Sequence, residues 1–242
     1  MNHAVSVSDL TVRLGGQEVL SGVSMSVQKG WIAGIMGPNG GGKTTLLRVL
    51  LGMITPESGE VEVLGMSPKH AARTGLVGYL PQRSVQSLLP VTALEVVRMG
   101  NHATRREALE ALELMGVADL AKRSFWRLSG GQAQRVSLAR VVVSNPGLAL
   151  LDEPSTGIDT VSQEDFYRLL LRLREERGIT VLLTSHDVGA ISSYVDQVFC
   201  LNVRMHCHGP ASRCLTRERL SELYGRDVDF IYHPPEDADG HT

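Results

Sequence analysis

Trp31-Ile32-Ala33-Gly34-Ile35-Met36-Gly37-Pro38-Asn39-Gly40-Gly41-Gly42-Lys43-Thr44-Thr45 sets a short apolar run directly before a glycine-rich segment. That segment fits the phosphate-loop pattern G-x-x-x-x-G-K-[ST]. Glycines there let backbone N–H groups wrap a chain of phosphates, and a helix over Thr44 to Leu51 would add the positive end of its dipole. Lys43 would reach the outer phosphates, and the Thr44 hydroxyl would face Mg²⁺. A strand before the loop and a helix after it separate this pattern from an ordinary glycine turn. Leu128-Ser129-Gly130-Gly131-Gln132 is a second such segment, opening a helix through Arg135, Leu138 and Ala139. A helix N-terminus with a serine cap attracts anions, yet the first loop already grips the phosphates.

Working outward, Leu148-Ala149-Leu150-Leu151 ends in Asp152-Glu153, and Thr180-Val181-Leu182-Leu183-Thr184 ends in Ser185-His186-Asp187. Runs apolar on both faces suggest buried parallel strands, with polar chemistry gathered at their carboxyl ends. Val5 to Val12 and Val19 to Val27 alternate, which predicts an antiparallel sheet exposed on one face. Phe166, Leu169, Leu170 and Leu173 fall at helical spacing within Ser162 to Arg177, with Ser162 and Asp165 as a capping signal and Gly178 as the stop. Ala108, Leu109, Leu112 and Met115 repeat the pattern from Thr104 to Met115. Ser84 to Asn145 reads as helical throughout. The expected divisions are 1–83 for the antiparallel β subdomain and the phosphate-loop part of the core, 84–145 for a helical subdomain, 146–225 for the rest of the core, and 226–242 for a frayed tail.

The chain has 242 residues, 43% hydrophobic and 21% charged, enough for a buried core with a soluble surface. Its net charge of −2 gives no basic footprint, so no nucleic-acid partner is expected. The first residues show no charged start followed by an apolar run, and no apolar stretch approaches bilayer length. Cys200, Cys207 and Cys214 cannot all pair within one chain, which reads as a reducing compartment with their even spacing due to chance.

The two glycine-rich segments, taken with Tyr79-Leu80-Pro81-Gln82, Asp152-Glu153, Ser155-Thr156-Gly157-Ile158-Asp159 and His186 in this order, resemble the ATP-binding-cassette (ABC) ATPases over about residues 5 to 225. The resemblance implies an α/β P-loop NTPase core of RecA-like kind, carrying an N-terminal antiparallel β subdomain and an inserted helical subdomain. It implies ATP and Mg²⁺ as ligands, with Gly37, Pro38, Asn39, Gly40, Gly41, Gly42, Lys43, Thr44 and Thr45 on the phosphates. Thr44, Gln82 and Asp152 would serve Mg²⁺. Glu153 would polarise the attacking water, His186 would touch the γ-phosphate, and Gln82 would hinge the helical lobe. Ser129, Gly130, Gly131 and Gln132 would act in trans, closing on ATP held by the second subunit of a head-to-tail homodimer. Asp159 would lie in the loop that crosses that interface.

Within that family, Leu80-Pro81-Gln82-Arg83 followed by Pro90 to Val97 is similar to the subunits of zinc and manganese importers, as are Cys200-Leu201-Asn202, His206 to Gly209 and Leu223-Tyr224-Gly225. This implies a subunit on the cytoplasmic face of a membrane, powering two integral membrane permease subunits and serving an extracytoplasmic solute-binding protein indirectly. Importers of iron chelates or other solutes, and soluble ABC ATPases, are the alternatives. The surface around Arg83 to Leu94 is the expected permease contact. Leu14 stands where the family usually stacks an aromatic residue on adenine, which predicts relaxed discrimination of ATP from GTP. Trp31 replaces a usual polar residue and reads as packing or as a contact surface. His206 and His208 share a strand face, a weak metal site weighed against a plain surface hairpin.

Overall fold

The computed structural model describes residues 2–82, 91–100 and 103–225. β1 (His3–Leu14) and β2 (Gln17–Gln28) form an antiparallel hairpin. β3 (Ile32–Met36) runs into the glycine-rich loop and α1 (Lys43–Leu50), and β4 (Ser58–Val63) returns to the free edge of β1. The resulting three-stranded sheet has the order β2-β1-β4. α2 (Pro68–Arg73) then leads to β5 (Val77–Leu80).

Next come α3 (Ala93–Arg98), α4 (Arg105–Leu114) and α5 (Gly130–Val142), with one-turn helices at Ala118–Leu120 and Phe125–Arg127. One local device starts all three α-helices. Thr92 with Glu95, Thr104 with Glu107, and Ser129 with Gln132 each form a capping box. Each box satisfies two amides that a helix start leaves open.

The chain then re-enters the core through β6 (Leu148–Leu151), α6 (Thr160–Arg177), β7 (Thr180–Ser185), α7 (Val188–Ser192) and β8 (Gln197–Asn202). β9 (Arg204–Gly209), α8 (Ala211–Cys214) and α9 (Arg217–Tyr224) complete the described residues. The second sheet has six strands in the order β5-β6-β7-β3-β8-β9, parallel except for β9. β3, β6 and β7 are buried along their whole length, as strands covered on both faces must be. Ile32 and Met36 point into the core shared with the helical stretch, while Ala33 and Ile35 point into the core under the antiparallel sheet. A Cβ on Gly34 would lie 2.4 Å from Ile191 Cδ1, so the Ile191 side chain would have to shift to admit one. Trp31 takes the packing role, half-buried against the second of these cores.

Three details depart from the sequence reading. α6 begins earlier than Ser162: Asp159 is its N-cap, accepting a hydrogen bond from the Ser162 amide at 3.0 Å. Asp165 instead pairs with Arg135 of α5 at 3.0 Å. Cys207 and Cys214 are joined by a disulfide, because α8 folds back on β9 and brings their Cα atoms to 5.7 Å, a pairing the sequence reading did not anticipate. Cys200 remains a buried thiol, its pKa pushed up to about 11 by that burial. The His206 to His208 segment is a strand of the β8–β9 hairpin, with Cys207 turned inward and both histidines exposed. Among the described residues no cluster of His, Cys, Asp or Glu could hold a metal ion, and no helix is long and apolar enough to cross a membrane.

Candidate functional site

The order β5-β6-β7-β3-β8 brings distant parts of the chain to one sheet edge. Gly37 follows β3, Gln82 follows β5, Asp152 and Glu153 follow β6, and His186 follows β7. Carboxyl ends of parallel strands point the same way, so the polar residues after each strand collect in one crevice. There a cleft of about 1050 Å³ is lined by Gly37 to Thr45 with Gln82, Glu153 and His186.

The glycine loop is shaped by close backbone approach. A Cβ on Gly37 would lie 1.8 Å from the Leu201 carbonyl oxygen, and Gly37 has φ +155°. Gly42, at φ 94°, is the N-cap of α1 and offers no side chain to cap it, so the helix entrance faces the cleft with its dipole uncompensated. Lys43 is 5% exposed. Its Nζ donates to the carbonyls of Gly37 at 2.7 Å and Pro38 at 3.0 Å. Burial lowers its pKa, while the nearby carboxylates of Glu153 and Asp152 pull it back up.

Asp152 is held by hydroxyls on both sides. Thr44 Oγ1 donates to its Oδ2 at 2.8 Å, and Thr184 Oγ1 donates to its Oδ1 at 2.7 Å. Thr184 also accepts the Glu153 amide at 2.8 Å. One buried hydroxyl therefore fixes two consecutive acidic residues. Glu153 has φ 46°, a left-handed conformation that costs a non-glycine residue about 1 kcal/mol. That turn aims its carboxylate back into the cleft. Its Oε2 receives Gln82 Nε2 at 2.7 Å and Thr156 Oγ1 at 3.3 Å, and lies 3.6 Å from His186 Nδ1. Its Oε1 is 3.9 Å from Lys43 Nζ, and the side chain is 9% exposed.

Other expected residues lie apart from this cleft. Leu14 sits at the end of β1, 42% exposed and outside the cleft lining. Ser129, Gly130, Gly131 and Gln132 also stand outside it, with the start of α5 against the start of α6. A Cβ on Gly130 would meet the Gly157 carbonyl oxygen at 3.4 Å, and one on Gly131 would meet Ser162 Oγ at 3.0 Å. Ser129 caps the helix as the sequence suggested: its side chain accepts the Gln132 amide, and Gln132 Oε1 accepts the Ser129 amide. Asp159 is likewise occupied as a cap. Its pKa is lowered by hydrogen bonds from Ser162.

Sequence reasoning missed Thr184, Thr156, Val19 and Tyr224 as parts of the site. Thr156 lies in the Ser155 to Asp159 stretch already singled out, and Tyr224 in Leu223-Tyr224-Gly225; neither carried a signal that it faced the cleft. Arg83 to Pro90, most of the expected permease contact, lie outside the described residues, and so does the tail from 226 onward.

The family model described as "ABC transporter" matches residues 20–156. Zinc import ATP-binding protein ZnuC of Pseudomonas aeruginosa is 38% identical over 235 residues, covering 96% of this chain and 84% of that protein. The protein of the same name from Jannaschia sp. is 37% identical over 223 residues, covering 91% and 88%. Among solved structures, cbiO1 from Clostridium perfringens, part of the ABC transporter complex cbiONQ, superposes with a TM-score of 0.82 at 26% identity, covering 92% of this chain and 94% of that one. Sequence and fold agree with the cleft: the chain belongs to the ABC transporter family, as an ATP-hydrolysing subunit.

Proposed function

We propose that the chain powers an importer of a divalent metal ion, zinc or manganese, as a homodimer seated on two integral membrane permease subunits at the cytoplasmic face of the membrane. The observation that carries the chemistry is the convergence of Gln82, Thr156, His186 and Lys43 on the buried Glu153 carboxylate, beside the Thr44–Asp152 pair. The cargo reading draws on 38% identity to a zinc import subunit along nearly the whole chain.

In this reading Lys43 leaves the Gly37 and Pro38 carbonyls for the outer phosphates of ATP. Glu153 takes the proton of the attacking water, a role that contributes about 10²–10⁴-fold in rate. His186 contacts the γ-phosphate. Gln82 exchanges Glu153 for the nucleotide site, and that exchange swings the helical stretch that follows. Thr44 and Asp152 offer hard oxygens suited to Mg²⁺, with the Gln82 amide oxygen in addition. This ion needs few protein ligands because phosphates and waters supply the rest. When bound, it would neutralise charge on the phosphates.

The second glycine-rich segment completes the site from a partner chain. Gly130 and Gly131 keep the entrance of α5 free of side chains, so the partner's triphosphate can come close, and Asp159 lies beside it on the interface. ATP then shifts the population toward the closed dimer by its preference for that state. An extracytoplasmic solute-binding protein would take part only through the permeases.

The test is transport in sealed vesicles holding this chain and its permeases, with the solute-binding protein supplied on the far side. Uptake of zinc or manganese that requires ATP on this chain's side is expected. Uptake of an iron chelate in place of either ion would overturn the cargo.

A further inference from the structure

We propose that Gln163, in the first turn of α6, is a positioning residue for His186, setting its aim by holding the carboxylate of Asp187. This rests on the reading that His186 contacts the γ-phosphate of ATP.

The His186 side chain is 57% exposed, so packing does not fix its direction. The turn that carries it does. β7 delivers Ser185 to the sheet edge at 2% exposure, and the Asp187 amide donates to Ser185 Oγ at 3.0 Å. His186 is thus the middle residue of a turn closed across its two neighbours. On the far side of that turn, Gln163 Nε2 donates to Asp187 Oδ2 at 3.2 Å. A carboxylate acceptor makes such a bond stronger than one between neutral groups. The bond is also partly buried, which limits competition from water. Both chain neighbours of His186 are therefore held, Ser185 by the strand and Asp187 by Gln163.

Gln163 is itself firmly placed. Its amide donates to the Asp159 carbonyl at 2.9 Å, in the turn that Asp159 caps. One turn further on, Tyr167 is 1% exposed, and its ring stacks on Tyr194 at 5.0 Å and 9°. Tyr194 lies just beyond α7. α6 therefore grips the α7 segment on both sides, through Asp187 before it and Tyr194 after it. Gln163 makes the contact beside the cleft residue His186, and a conservative change can remove its donor without touching the stacked rings.

Loss of that donor leaves Lys43, Thr44 and Asp152 in place, so nucleotide capture persists. The loss falls instead on the chemical step, because a contact group displaced by about 1 Å can cost up to about 10²-fold in rate. A glutamine that only ties α6 to α7 would behave differently: its removal would lower Tm and leave the His186 ring where it was.

The experiment compares the full chain with Gln163→Met, Gln163→Lys and His186→Ala. It reads Mg-ATP hydrolysis, Tm and the histidine ring signals in proton–nitrogen NMR, those of His186 being identified by their absence from His186→Ala. Gln163→Met cannot donate, and is expected to lower kcat about fivefold, with the KM for ATP within about twofold and Tm unchanged. It should also move the His186 ring signals and leave those of the other histidines in place. Gln163→Lys restores a donor to Asp187 and should return kcat to within about twofold of the wild type. A wild-type kcat or an unmoved His186 signal in Gln163→Met overturns the proposal. So do equal losses in Gln163→Met and Gln163→Lys with a lower Tm, which would assign the side chain to packing. If His186→Ala loses hydrolysis while Gln163→Met behaves as wild type, the Gln163 role fails and the γ-phosphate reading survives. Wild-type hydrolysis by His186→Ala removes that reading and this proposal with it.

Discussion

Glu153 is the residue on which the site turns, and its geometry depends on Thr184. A glutamate in the left-handed region persists only when its surroundings over-determine it. Here the Thr184 hydroxyl takes the Glu153 amide and gives its own proton to Asp152. Thr184→Val keeps the shape of the side chain and removes both bonds. The loss of one or two buried hydrogen bonds is worth about 1–3 kcal/mol. Because it frees the two acids proposed to hold ion and water, we expect kcat to fall roughly tenfold or more, with the KM for ATP little changed. Steady-state hydrolysis measures this, and a wild-type kcat would contradict it. The acids themselves were legible in the sequence, since an apolar run ending in Asp152-Glu153 is a strand end with chemistry on it. Thr184 was not legible: threonine is common in strands, and only the lateral pairing of β6 with β7 shows what its hydroxyl touches.

At the scale of elements, the legible parts were those with short-range causes. Buried strands announced themselves by apolar runs, and the sheet order then placed their ends together. Helix periodicity located α4 and α6, but the start of α6 was misjudged. Asp159 and Ser162 both suit a cap, and the choice depends on the turn that follows β6. The closure of α8 onto β9 was also hidden, because a seven-residue spacing of cysteines says nothing about a fold-back. Closing a loop of this size stabilises by about 2 kcal/mol, and a reducing compartment would hold the same pair as thiols. Adding a dithiol reductant should therefore lower the midpoint of urea unfolding by a corresponding amount. An unchanged midpoint would contradict a closed bridge.

For the whole molecule, the proposed function makes the chain half of a machine. In that reading one cleft would hold the residues that grip, position and hydrolyse. The start of α5 presents two glycines away from that cleft. The sequence suggested this division, because a second anion-seeking helix start has no evident task beside a complete phosphate loop. The structure adds that Ser129 and Gln132 satisfy each other in a single chain, so a partner's phosphate would have to take over from that pairing or bind alongside it. We propose that two chains close on ATP and that Glu153 opens them again by hydrolysis. The most direct measurement is the mass in solution of Glu153→Gln at saturating ATP and Mg²⁺. A stable dimer with ATP retained and hydrolysis reduced about 10²–10⁴-fold is predicted. A monomer under those conditions, or a variant that hydrolyses like the wild type, would contradict the account.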